Sequence, residues 1–200
     1  MPKVVDHDER RAAIVAAAGR LIARHGLEAA TVRGIAAEAG WSSGVIDHYF
    51  ADKDDLLLQA LAASHQRISG RFARVTRGLR GLAAVRALLA DNLPTDADRR
   101  DETRLEVQFW ARSLGDEALL EVQRAETAGF RRGLRRHLAE AVDDGELAAG
   151  LDPEDTLERL LALMDGISVR AVIDPARLPA ARQLALLDGE VERLRARATG

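Results

Sequence analysis

Cysteine is absent from this chain of 200 residues, which excludes a disulfide framework, a thiolate zinc site and a cysteine nucleophile. Proline, at 5, and glycine, at 16, are too sparse for a fibrous or low-complexity chain. Long hydrophobic runs are missing as well, so no stretch reads as a bilayer-spanning helix. The opening segment, Met1 to Ile14, carries acids and has no apolar run ahead of a cleavage site, so it does not read as a signal peptide. The expectation is a soluble, cytoplasmic protein.

Lysine is scarcer still. Only Lys3 and Lys53 appear among 29 basic residues, a bias that reads as coding preference rather than a guanidinium function. Aromatic residues make up 4% of the chain, while hydrophobic residues make up 47% and charged residues 30%. A chain rich in Ala, Leu, Arg and Glu, with few β-branched runs, points to helices almost throughout. The formal net charge of −3 gives no sign of a nucleic-acid partner. Residues 1–55 alone hold seven Lys/Arg against nine Asp/Glu. Any DNA affinity in that segment must come from a few placed groups, including the Arg10–Arg11 pair, rather than a diffuse positive field.

Apolar spacing and stop signals predict nine helices and no strands. They run from about Asp8 to His25, Thr31 to Ala39, Ser42 or Ser43 to Tyr49, and Asp52 to the Arg77–Gly81 region. The others cover about Leu82 to Leu93, Ala97 to Ser113, Glu117 to Asp144, Pro153 to Ile173 and Pro179 to Ala198. Asp52 with Asp55 has capping-box spacing, and Asp152-Pro153-Glu154-Asp155 is a strong start signal. The expected division is a unit of residues 1–55 followed by a larger helical bundle, residues 56–200.

The segment Thr31 to Phe50 is the informative one. Two short helices meet at a tight turn at Gly40, and Ala36, Ala37, Ala39 and Gly40 permit close packing at an angle. A helix-turn-helix of this kind can set its second helix in a DNA major groove. Ser42, Ser43, Val45, Asp47 and His48 would then face base edges. Thr31, Arg33, Tyr49 and Lys53 would meet the phosphate backbone, Thr31 through the free amides of a helix start. Taken singly, Thr31, Ser42 and Asp52 are also ordinary caps.

The run Thr-Val-Arg-Gly-Ile-Ala-Ala-Glu-Ala-Gly, followed by Ser-Ser-Gly-Val-Ile-Asp-His-Tyr-Phe-Ala-Asp-Lys-Asp-Asp-Leu-Leu, spans Thr31 to Leu57. It resembles the DNA-binding domain of the TetR family of bacterial repressors, and the likeness covers about 50 residues. The resemblance implies an all-α fold, with an N-terminal helix-turn-helix domain and a C-terminal ligand-binding and dimerisation bundle. It also implies a homodimer on a palindromic double-stranded DNA operator, released by a small organic effector. Two residues depart from the family pattern. Trp41 stands where a smaller aliphatic is usual, and packs over the helix junction or touches the groove edge. Asp47 puts a carboxylate in the recognition helix, where it accepts from a cytosine amino group or pairs with a cation such as Arg33.

In the C-terminal part, Leu157, Leu160, Leu161 and Met164 form one stripe and Leu184, Leu187, Val191 and Leu194 another, with further apolar residues beside each. Such surplus apolar surface either packs within one subunit or builds a two-fold dimer interface. The family resemblance favours the dimer. Arg104, Glu106, Phe109, Trp110, Phe130, His137, Met164 and Asp165 are the candidate ligand residues, an acid among apolar and aromatic groups suiting a cation. The Phe109–Arg112 and Asp165–Ala171 runs are similar to the choline-responsive betaine-pathway branch of the family. Alternatively, Phe109 and Trp110 are plain core and Asp165 pairs with an arginine across the dimer.

Arg131, Arg132, Arg135, Arg136 and His137 read as a solvated face balanced by Glu121, Glu126 and Glu140. No metal-ligand spacing, phosphate loop, catalytic constellation or cofactor motif is evident, so no enzyme is expected. A helical small-molecule or protein-binding module without operator binding is the alternative function.

Overall fold

The computed structural model describes residues 7–147 and 151–196. Among them every regular element is helical: α1 (His7–His25), α2 (Val32–Ala39), α3 (Ser43–Tyr49), α4 (Lys53–Val75), α5 (Gly81–Asn92), α6 (Ala97–Ser113), α7 (Glu117–Asp143), α8 (Pro153–Ile173) and α9 (Ala180–Ala196). A 3-10 turn at Leu27–Ala29 adds one element that apolar spacing did not predict. No described helix is long and apolar enough to cross a membrane.

Most helix ends follow from local chemistry. Gly26, with φ 83°, closes α1, and Gly40, with φ 76°, closes α2. Both are left-handed positions that cost a residue with a Cβ about 1 kcal/mol or more. Helix α4 stops at Val75, short of the expected Arg77–Gly81 region. There the Thr76 hydroxyl donates back to the Phe72 carbonyl at 2.8 Å, and Gly78 turns the chain with φ 75°. The expected end of the last helix at Ala198 lies outside the described residues.

The chain divides into two compact units, residues 1–67 with 104–120, and residues 68–103 with 121–200. Residue 55, the expected boundary, lies in the first turn of α4, while the two compact units part farther along that helix, after residue 67, with residues 104–120 joining the first.

In the first unit, Ile14, Ala18 and Ile22 of α1 meet Ile35 of α2, Ile46 of α3 and Leu56, Leu57 and Leu61 of α4 in a buried core. Leu105 and Phe109 of α6 are buried in this unit too. Each such large side chain contributes about 1.5–3 kcal/mol on leaving water. The second unit packs Leu82, Val85 and Leu89 of α5 with Leu134 and Leu138 of α7 and with apolar rows of α8 and α9.

Charged side chains secure both units. Arg112 of α6 donates to Asp54 of α4 at 2.7 Å, and His65 Nε2 lies 2.6 Å from Glu106 Oε1. In the second unit, Glu146 accepts from the Leu82 amide at 2.6 Å and Glu140 from the Gly81 amide at 3.3 Å. Two carboxylates thereby hold the first amides of α5, where the helix dipole favours negative charge.

Candidate nucleic-acid interface

The helix-turn-helix is built by caps. The Thr31 side-chain oxygen accepts from the Gly34 amide at 3.0 Å and starts α2. Its hydroxyl hydrogen remains for a further acceptor. At the turn, the Trp41 amide donates to the Ala36 carbonyl at 2.9 Å beyond left-handed Gly40, a helix end in the Schellman manner. Ser42 takes the N-cap position of α3 in extended conformation, yet its side chain makes no cap hydrogen bond. The sequence made Ser42 a cap; its backbone does that work, and its exposed hydroxyl is unused by the cap.

Along α3, Ile46 points into the core, Ser43, Val45 and Tyr49 are half-buried, and Asp47 and His48 are exposed. The helix therefore offers one polar side to solvent while it packs against α2 on the other. Arg33 on α2 is exposed and Lys53 at the start of α4 is half-buried. Neither makes an ion pair among the described residues, and no ion pair joins Arg33 to Asp47. Two other cations of this unit are engaged. Arg20 holds Glu38 at 2.9 Å, and Arg11 donates to Gln59 at 2.9 Å beneath the Phe50 ring.

Trp41 is half-buried with the Arg10 guanidinium 5.6 Å from its ring centre, so the large turn residue serves as a stacking platform for an α1 cation. Asp52 accepts from the Asp55 amide at 2.8 Å while Asp55 accepts from the Ala51 amide at 3.0 Å. The two bonds fix the start of α4 beside Lys53, and the hydrogen bond from Gln59, followed by that from the Ala51 amide, lowers the Asp55 pKa.

Sequence reasoning missed His7. Its Nδ1 lies 2.8 Å from the Tyr49 hydroxyl, and its ring sits 5.7 Å from that of Tyr49 and 6.3 Å from that of His48. The signal was present, because His7, Arg10 and Arg11 share one side of α1 at i, i+3 and i+4. Setting the helix start at Asp8 left His7 out.

The eight expected ligand residues fall into both units, four in each. In the first, Phe109 is fully buried as core, Glu106 pairs with His65, Arg104 is half-buried and Trp110 is 37% exposed. In the second, His137 is committed elsewhere. Its Nδ1 is 2.7 Å from Glu140, which accepts the Gly81 amide, and Arg136 donates to its Nε2 at 3.2 Å. Met164 is buried and its sulfur accepts from Asn92 at 3.2 Å, while Phe130 stacks at 5.0 Å on Phe72, an aromatic partner not anticipated. Asp165 is half-buried, and burial pushes its pKa up to about 6. It forms no ion pair among the described residues of this chain. A depression of about 310 Å³ between the start of α8 and the end of α9 is walled by Leu151, Thr156, Arg159, Leu160, Glu190, Arg193 and Leu194. None of the eight lines it.

The two leucine stripes need a correction. Leu157, Leu160, Leu161, Met164, Leu187, Val191 and Leu194 are buried in the chain's own core, and Leu184 packs against it. Of the two readings open in the sequence, packing within one subunit accounts for them. The outward side of α8 carries Ala162, Gly166 and Ile173, and that of α9 carries Ala185, Leu186 and Gly189, all exposed. The basic cluster on α7 is balanced partly as expected, by Glu140 on His137, and partly by acids of α8. Arg131 and Arg135 donate to Glu154 of α8 at 2.7 and 2.8 Å, and Arg131 also meets Glu158. The first two turns of α8 thus supply the counter-charge for Arg131 and Arg135.

With this geometry in place, the chain's relatives can be set beside it. Residues 14–60 match the model of the bacterial regulatory proteins of the tetR family, and residues 81–196 match the C-terminal model of BetI-type transcriptional repressors. The chain belongs to the TetR family. It is a DNA-binding transcriptional regulator, not an enzyme. The HTH-type transcriptional regulator PksA of Bacillus subtilis is 32% identical over 179 residues, covering 89% of this chain and 86% of that protein. BetI of Vibrio parahaemolyticus is 30% identical, covering 90% and 89%. A transcriptional regulator from Rhodococcus superposes with a TM-score of 0.82 at 28% identity, covering 92% and 95%. A regulator from Saccharomonospora viridis, solved in complex with choline, superposes at 0.87 with 24% identity, covering 92% and 96%.

Proposed function

We propose that this TetR-family regulator acts in the cytoplasm as a homodimeric repressor that sets two copies of α3 on a palindromic operator. The observation that carries the reading is the polar side of α3 and its cap, with Ser42, Asp47 and His48 exposed and Ser43 half-buried, flanked by Tyr49 and by Arg33 and Lys53, two cations free of ion pairs among the described residues. Ser43, Val45, Asp47 and His48 read bases; Thr31, Arg33, Tyr49 and Lys53 hold phosphates. The dimer forms through the outward sides of α8 and α9, where small residues let helices approach closely around Leu186 and Ile173.

The effector is a small organic cation of the choline type. The choline complex of the Saccharomonospora viridis regulator supports this, as does the unneutralised carboxylate of Asp165 in the unit that holds the Phe72–Phe130 pair. A carboxylate desolvated without a counter-ion gains most from a cation, and aromatic faces add to the attraction.

The test is selection of duplexes from random-sequence DNA on the purified protein, followed by band shifts with and without choline. A palindromic consensus bound by the dimer and released by choline supports the reading. Failure to enrich any sequence overturns the operator, and release by neutral analogues but not by choline overturns the effector.

A further inference from the structure

Tyr49 ends the recognition helix with a hydroxyl that can donate only one hydrogen, and a phosphate oxygen can only accept. In the structure that hydroxyl is not alone: His7 Nδ1, from the first turn of α1, stands 2.8 Å away. The contact belongs to a cluster of three rings. His48 meets Tyr49 edge-on at 5.3 Å, and the two imidazoles are 6.3 Å apart and tilted by 54°. His7 and His48 are both exposed.

We propose that His7 is a proton-operated positioning residue for DNA binding: its protonation turns the Tyr49 hydroxyl from a donor into the protein into a donor toward the DNA backbone. The neutral imidazole divides between a tautomer with bare Nδ1 and one with Nδ1–H. In the first, Nδ1 takes the only Tyr49 hydrogen, and the hydroxyl has nothing to give a phosphate. The imidazolium has Nδ1–H in every molecule. It donates to the Tyr49 oxygen, frees the hydroxyl hydrogen for a phosphate oxygen, and brings a positive charge to a segment in which acids outnumber bases. A hydrogen bond beside an ionised partner is also the stronger kind.

Charged and titratable groups of both signs lie on the elements around His7. On α3 the neighbouring titratable groups are Asp47 and His48. On α1 they are Asp8, Glu9, Arg10 and Arg11, with Arg10 stacked over Trp41 and Arg11 over Phe50. At the start of α4 they are Asp52 and Lys53. Arg10 and Arg11 are directed to rings of their own. His48 opposes a charge on His7 when both imidazoles are charged, and a phosphate between them removes that opposition.

This inference rests on the proposed role of Tyr49 as a phosphate contact, and the test separates the two. A duplex selected by the wild-type protein is titrated by fluorescence anisotropy at pH 6 and pH 8 at constant ionic strength, with wild type, His7→Gln, His48→Gln and Tyr49→Phe, each checked for an unchanged helical melting curve. Wild type binds about tenfold more tightly at pH 6, the worth of exchanging a neutral for a charge-assisted contact. His7→Gln keeps the pH 8 affinity and loses most of that gain, Tyr49→Phe loses it as well, and His48→Gln keeps at least half. Wild-type affinity that is equal at the two pH values, or a full gain in His7→Gln, overturns the proposal. Tyr49→Phe binding like wild type at both pH values overturns the phosphate role of Tyr49 and the inference with it.

Discussion

Arg71 of α4 grips Glu102 of α6 with two parallel bonds, Nη1 to Oε1 at 2.8 Å and Nη2 to Oε2 at 2.7 Å, while its Nε donates to Asp91 of α5 at 2.9 Å. Asp91 is almost fully buried, and Arg99 holds its other oxygen. Within the second unit one guanidinium thus ties the last turns of α4 and the first turns of α6 to α5, and these bonds hold it firmly in its charged form. Arg71→Met removes the shared cation from two desolvated acids. The expected loss is about 3 kcal/mol of unfolding free energy, at the low end for a broken buried pair because Arg99 remains. Urea denaturation monitored by circular dichroism measures it, and a loss under 0.5 kcal/mol would mean that the network adds little.

The correction to the leucine stripes has a direct consequence. Leu157→Ala should cost about 2–5 kcal/mol, as expected for a fully buried leucine, and leave the association state of the surviving folded protein unchanged. Leu186→Arg, on the exposed side of α9, should do the reverse: near-wild-type melting and a shift from dimer to monomer in sedimentation. If Leu186→Arg stays dimeric, the interface lies elsewhere.

Asp165 makes a prediction about pH. Burial raises its folded pKa to about 6, above the ordinary carboxylate value of 3.8. Between those values the folded protein keeps a proton that the unfolded chain has lost, so Asp165 makes stability fall as pH rises from about 4 to 6. Above pH 6 the cost persists, at about 1 kcal/mol once solvent screening at a half-buried site is allowed for. Asp165→Asn should therefore melt higher than wild type at pH 7 and match it near pH 4. The same carboxylate must be ionised to attract a cation, so choline affinity measured by calorimetry should fall as pH drops below 6 and be lost in Asp165→Asn.

Thr31→Ala tests the cap that starts α2. Loss of the bond to the Gly34 amide should cost about 1 kcal/mol in thermal or urea unfolding. Thr31→Ser keeps the acceptor and should recover most of that stability. If the two variants are equally unstable, the cap bond is not what Thr31 contributes.

Much of this was legible in the residues because local signals agree with the tertiary outcome. Gly26 and Gly40 mark real left-handed ends, and Ile14, Ala18, Ile22, Ile35 and Ile46 are buried as their spacing implies. What spacing could not reveal is where a surplus apolar face goes. Leu187 and Leu186 are neighbours in sequence, yet one is core and the other exposed, and only packing against α5 and α8 decides which. Long-range polar partners were equally invisible. His137 resembled a ligand residue but holds Glu140 at the start of α5, and His7 acquires its meaning only 42 residues away at Tyr49. Burial lifts the Asp165 pKa, and a one-dimensional pattern of apolar neighbours could hint at that without establishing it.

The central claim is that a segment with more acids than bases binds DNA through a few placed cations. Its most direct test is the salt dependence of affinity for a selected duplex. If Arg33 and Lys53 of each protomer neutralise one phosphate each, log K falls linearly with log salt with a slope of about −4, and the Arg33→Gln/Lys53→Gln double variant binds weakly with a slope near zero. A double variant that retains the wild-type affinity and slope would contradict the account.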